Sequence, residues 1–167
     1  GAGRKTDDPA KYWRTFGGGR WESIERFIGQ PKDVRKNLEE IIAEGDTSEQ
    51  KLRKIYDHAR LMPNIDASVP LDQKVLRRCK RENLNVRGVA KAGCGDTAEL
   101  QMYFIALARA AGLTADPVLI ASRGERFFTA DTMDSSQLDG WLVAVNLDGR
   151  ELFLSPGISV LPFGALL

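Results

Sequence analysis

Apolar residues recur at helical spacing through the first part of the chain and in short alternating runs beyond residue 113. Tyr12, Trp13 and Phe16 form one cluster. After Gly17-Gly18-Gly19, Trp21, Ile24, Phe27 and Ile28 follow at intervals of three and four, which sets them on one helix face. The glycine triplet reads as a hinge between two short helices, since it lacks the lysine and hydroxyl of a phosphate-binding loop and no strand precedes it. Pro31 suits a first helical position, and Val34, Leu38, Ile41 and Ile42 continue the stripe as far as Gly45. Thr47 with Gln50, and Asp46 with Glu49, stand at capping-box spacing ahead of Leu52, Ile55, Tyr56, Ala59 and Met62. Pro63 ends that helix. Pro70 opens a further one that carries Val75 and Leu76 and fades near Asn83-Leu84-Asn85.

A connection through Gly88 and Gly93 leads to the clearest helix, Asp96 to Ala111, with Leu100, Tyr103, Phe104, Leu107 and Ala111 in period and Gly112 as its stop. Such a pattern predicts a central, buried helix. Thereafter Val118-Leu119-Ile120, Phe127-Phe128, Trp141 to Val145 and Leu152-Phe153-Leu154 are β-type runs, and Asn146-Leu147-Asp148-Gly149 supplies a hairpin turn. Helices first and antiparallel strands second is an α+β order. Residues 1–8, opening on Gly-Ala-Gly, read as a linker or cloning remnant; residues 9–167 read as one domain whose part 9–62 is helical.

Composition narrows the function without naming it. The 167 residues include 43% hydrophobic and 28% charged residues, an ordinary balance for one globular domain. No apolar run reaches the ~20 residues that span a bilayer, so no membrane insertion by this domain is expected. The net charge of +1 provides no global field to draw the chain to nucleic acid. Lys74, Arg77, Arg78, Lys80 and Arg81 form a local basic cluster with no interleaved aromatic residue; it reads as a solvated helix face, with a phosphate-binding patch as the alternative. Cys79 and Cys94 fit either two free thiols or one disulfide, whose fifteen-residue separation would contribute about 3 kcal/mol.

The candidate chemistry lies where the central helix begins beside Cys94. A helix N-terminus lowers a thiol pKa and offers amides to an oxyanion. Gly93-Cys94-Gly95-Asp96-Thr97-Ala98, Ala106 to Gly112, Asp116 to Ile120, Leu138 to Gly149, Leu154-Ser155-Pro156-Gly157 and Leu161-Pro162-Phe163-Gly164 together resemble the transglutaminase-like family, of papain-like fold. The resemblance extends over residues 10–167. It implies a helical half, a central helix packed on an antiparallel sheet, and membership of a larger bacterial protein, exported to the periplasm or beyond the cell.

The family's triad maps badly onto this chain. Its cysteine opens the central helix, its histidine begins the strand that matches Trp141–Val145, and its aspartate precedes the proline that matches Pro156. The strand-opening position holds Gly140, or Asp139 with a shift of one, and the acid position holds Ser155. For the nucleophile two alignments compete. Counting back from Gly112 without gaps selects Thr97; matching the local Cys-x-Asp-x-Ala pattern selects Cys94 but inserts three residues, which rotates the apolar stripe by about 60°.

The chain's single histidine, His58, precedes the cysteine and reads as a residue flanking an apolar helix face. A thiol without a base is a few per cent ionised at neutral pH and has nothing to protonate the leaving amine. The resemblance therefore implies a catalytically inactive module that binds protein or peptide in a relict cleft, or packs on neighbouring domains of its parent. The rival expectation is an active cysteine peptidase or acyltransferase that uses Cys94 with His58 or another unusual base. Asp131, Asp134 and Asp139, with Ser135 and Ser136, lack calcium-loop spacing and read as a solvated loop, so neither metal nor cofactor is expected.

Overall fold

The computed structural model describes residues 18–67, 70–120 and 140–156. Among these residues six α-helices precede three antiparallel strands: α1 Gly18–Ile28, α2 Arg35–Ile41, α3 Ser48–Arg60, α4 Gln73–Arg78, α5 Val86–Ala92, α6 Thr97–Ala110, then β1 Thr114–Ile120, β2 Gly140–Leu147 and β3 Arg150–Leu154. The α+β class follows directly. Tyr12, Trp13, Phe16, Phe127, Phe128 and the Asp131–Asp139 loop lie outside the described residues.

Helix α6 is the hub of the molecule. Leu100, Tyr103, Phe104, Ile105 and Leu107 are each at most 1% exposed, and α1, α2, α3, α5, β1 and β2 all pack on this helix. Burying one such side chain contributes about 1.5–3 kcal/mol. The reciprocal capping box between Asp96 and Glu99 fixes where α6 starts, and Gly112, at φ +87°, allows the chain to leave it at the other end. Only three residues then separate α6 from β1, so the strand must run back along the helix. A fourteen-residue helix and a seven-residue strand each extend roughly 20 Å, so the far end of β1 comes level with the start of α6.

Strand order is β1-β2-β3, with Ile120 opposite Gly140 and Val143 opposite Leu154. The β2–β3 turn is a two-residue connection in which Asp148 and Gly149 both have positive φ, the primed geometry that matches strand twist. Arg109, in the last turn of α6, ties helix to sheet: its guanidinium holds both carboxylate oxygens of Glu25 at 2.8 and 3.0 Å, Asp116 at 2.9 Å and the carbonyl of Ala115 at 2.8 Å.

Four local expectations need correction. Gly18 and Gly19 lie in the first turn of α1, so these two are not a hinge ahead of it. The stripe from Pro31 to Gly45 is not one helix: a single 3-10 turn, Pro31–Asp33, precedes α2, because the Asp33 carboxylate folds back on the amide of Gln30 and is also paired with Arg87. Helix α4 opens at Gln73 behind an Asp72 cap rather than at Pro70. The connection through Gly88 is itself a helix, α5, capped by the Asn85 side chain and ended by Gly93 at φ +69°.

Candidate functional site

Thr97 is the first residue of α6, and Cys94 lies three residues before the helix, its sulfur bonded to Cys79. The cysteine is 1% exposed. Of the two nucleophile alignments, the gapless one puts a hydroxyl at the helix start, while the other selects an atom already committed to a disulfide. A sulfur in that state carries no nucleophilic lone pair of thiolate character.

The start of α6 is closed by its own chain. Residues 63–66 run beside Gly95, with the Gly95 amide donating to the carbonyl of Pro63 and the Ile65 amide donating to that of Gly95. This brings Asn64 and Asp66 over Thr97. The Asn64 amide donates to Thr97 Oγ1 at 3.0 Å, and the Thr97 backbone N–H donates to Asp66 Oδ2 at 3.1 Å. Asn64 Oδ1 accepts the amide of Asp66 at 2.8 Å, which locks the pair into one turn.

Within the capping box, the Asp96 amide donates to Glu99 at 2.9 Å and the Glu99 amide to Asp96 at 2.8 Å. Three of the four amides that a helix start leaves without helical partners therefore point at internal carboxylates. An oxyanion needs such amides free and aimed outward. Glu99 also accepts the amide of Asn83 at 2.9 Å, and burial raises its pKa against the lowering effect of these backbone bonds.

Ser155 follows β3 and is 2% exposed; its hydroxyl donates to Gln101 Oε1 at 3.1 Å. Gln101 stands one helical turn beyond Thr97 on the same side of α6, so its bond ties Ser155 to that side of the helix. Gly140 begins β2 at the same end of the sheet, since it pairs with Ile120 and the β2–β3 register sets position 155 opposite Leu142. Asp139 lies outside the described residues. Gln101 escaped the sequence reading although it carries a usable signal: it is an amide inside the apolar run from Leu100 to Ile105, and a buried polar residue in such a run demands a partner. Asn64 and Asp66 gave no such signal.

His58 is elsewhere. It stands on α3 with Nε2 3.3 Å from the hydroxyl of Tyr103 and its ring tilted against the tyrosine's. Burial lowers the imidazole's pKa, although Glu40 opposes this, and burial pushes that of Tyr103 up to about 12. The two residues lie in an open groove of about 840 Å³ between α2, α3 and α5, lined also by Glu40, Lys54, Leu61 and Met62. Neither Thr97 nor Ser155 lines this groove. Among the described residues no cluster of three His, Cys, Asp or Glu side chains could hold a metal ion, and no helix is long and apolar enough to cross a membrane.

No family model and no curated protein matches the chain. Among solved structures it is similar to a "putative protease" from Parabacteroides distasonis, with a TM-score of 0.54 and 14% identity. The likeness covers 86% of this chain and 27% of that one, so the chain spans about a quarter of that protein's length and shares with it a fold alone.

Proposed function

We propose that this chain is a transglutaminase-like domain that has lost its chemistry and serves as a scaffolding or protein-binding module of a longer bacterial protein. The order of helices, buried central helix and antiparallel strands fits that family, and Thr97, Gly140 and Ser155 are what remains at its three catalytic positions. The observation that carries the reading is the use made of these groups: the Thr97 amide donates to Asp66, its hydroxyl accepts from the Asn64 side chain, and Ser155 is bonded to Gln101. Polar groups that would have to face a substrate are bonded to the protein instead. The only histidine pairs with Tyr103, and Cys94 is held in a disulfide. A disulfide also agrees with an oxidising compartment, which supports a periplasmic or extracytoplasmic setting.

Rebuilding the triad tests this reading. The variant Thr97→Cys/Gly140→His/Ser155→Asp, prepared alongside the three single replacements, is titrated for thiol ionisation and followed by far-UV circular dichroism. A folded triple variant whose new thiol ionises below the range of free cysteine, with little effect from any single change, is expected from the family geometry. A folded triple variant whose thiol titrates like free cysteine would count against the family reading.

A further inference from the structure

The basic cluster seen in the sequence becomes a surface once the chain is folded. Lys74, Arg77, Arg78, Lys80, Arg81 and Lys91 are all exposed, and among the described residues none of them forms an ion pair. Several cations elsewhere are paired, Arg53 with Glu49, Lys54 with Asp46 and Arg60 with Asp57, whereas among the described residues of 70–95 only Arg87 is, with Asp33. Residues 70–95 carry seven basic and two acidic side chains, a net of +5 in a chain whose total is +1, which leaves −4 on the rest. The near-neutral total therefore conceals a strongly polarised molecule.

Two features gather this charge. The disulfide sets the Cα atoms of Cys79, at the end of α4, and Cys94, just beyond α5, 6.2 Å apart, so that the run Arg77 to Arg81 is drawn toward the end of α5 that carries Lys91. The guanidinium of Arg78 lies against Gly93, 3.8 Å from where a Cβ would stand. Asn83 then pins the following loop, its amide to Glu99 and its side chain to the carbonyl of Cys94 at 3.2 Å. Beyond that pin Leu84 stands 88% exposed, and Leu76 within α4 is 39% exposed.

We infer that this face, α4 with the loop that follows it, docks on an anionic phospholipid surface. Clusters of four to eight Lys and Arg side chains are the usual electrostatic signature of such binding, and leucines set among them enter the boundary between headgroups and acyl chains while the long basic arms reach the phosphates. A soluble polyanion would satisfy the cations and leave both leucines in water. Nucleic acid fits less well, because residues 70–95 contain no aromatic side chain on which a base could stack. The inference is independent of the fate of the catalytic positions: it needs the buried Cys94 only as a disulfide brace.

Co-sedimentation with vesicles tests it, with phosphatidylcholine alone compared against the same lipid mixed with phosphatidylglycerol. The protein is expected to sediment with the mixed vesicles only and to be released as salt shortens the Debye length. Neutralising Arg77, Lys80 and Arg81 to Gln together should weaken binding on the order of a hundredfold, about fivefold per cation. Leu84→Ser should weaken vesicle binding severalfold while leaving retention on poly-glutamate unchanged. All these side chains are exposed, and circular dichroism verifies that each variant stays folded. Equal sedimentation with both vesicle types, or parental binding by the triple variant, overturns the inference. So does tighter binding to poly-glutamate or to a single-stranded oligonucleotide than to the mixed vesicles, with Leu84→Ser neutral for the lipid.

Discussion

Two faces of helix α6 treat their polar groups in opposite ways. At its start, Thr97, Gln101, Asp96 and Glu99 are bonded to Asn64, Asp66, Ser155, Asn83 or one another, and the segment 63–66 and the disulfide brace the turn. On the other face, Tyr103 and His58 share one long bond at the wall of an open groove. On the proposed reading, the difference teaches that losing catalytic residues is only part of disabling a site. Unpaired polar groups left in a buried position cost about 1–3 kcal/mol each, so a buried helix start that binds no substrate is stable only when its donors and acceptors find internal partners. The start of α6 has that character and the groove does not.

The comparison predicts unequal responses to mutation. The largest belongs to the disulfide: Cys79→Ala/Cys94→Ala should lower stability by about 3 kcal/mol in chemical denaturation, because it frees the fifteen-residue loop that braces the start of α6. Next comes Asn64→Ala, which removes at once the donor to Thr97 and the acceptor for Asp66, and should cost about 1–2 kcal/mol. Tyr103→Phe, at the groove, should cost less than about 1 kcal/mol, since it gives up one long hydrogen bond, 3.3 Å, to the half-buried His58. Equal losses for Asn64→Ala and Tyr103→Phe would remove the distinction between the two faces.

The smallest effect is a pH dependence. Burial lowers the pKa of His58 from its ordinary 6.5, so the stabilisation from keeping it neutral is present above pH 6.5 and lost as pH falls through the lower folded value. Glu99 runs the other way: its pKa is raised above 4.5 by burial, so its contribution is greatest below 4.5 and declines as pH rises through the folded value. Thermal melts of the parent and of His58→Gln should therefore differ in their slope below pH 6.5 and run parallel above it. Parallel curves throughout would mean that the groove leaves His58 as solvated as it is in the unfolded chain.

Much of the fold was legible where local signals agreed. Thr47 and Gln50 cap α3 as their spacing predicts, the stripe from Leu100 to Leu107 is the buried hub, and Asp148-Gly149 turns the hairpin. Helix α5 was not legible, because seven residues with only Val86 and Val89 buried, and a glycine between them, have no helical period of their own; packing on α6 and the Asn85 cap decide it. The site divides along the same line. Thr97 and Ser155 could be singled out by counting along the chain, whereas the partners of Thr97, Asn64 and Asp66, come from a loop some thirty residues away, and only the folded chain brings them together.

The most direct test of the central claim is turnover. The purified protein is assayed for transamidation, deamidation and peptide cleavage, both as isolated and after reduction to release Cys94. No activity above background in either state is the expected result, with slow alkylation of the released thiol permitted. Turnover that is abolished by Cys94→Ser or Thr97→Ala would contradict the account.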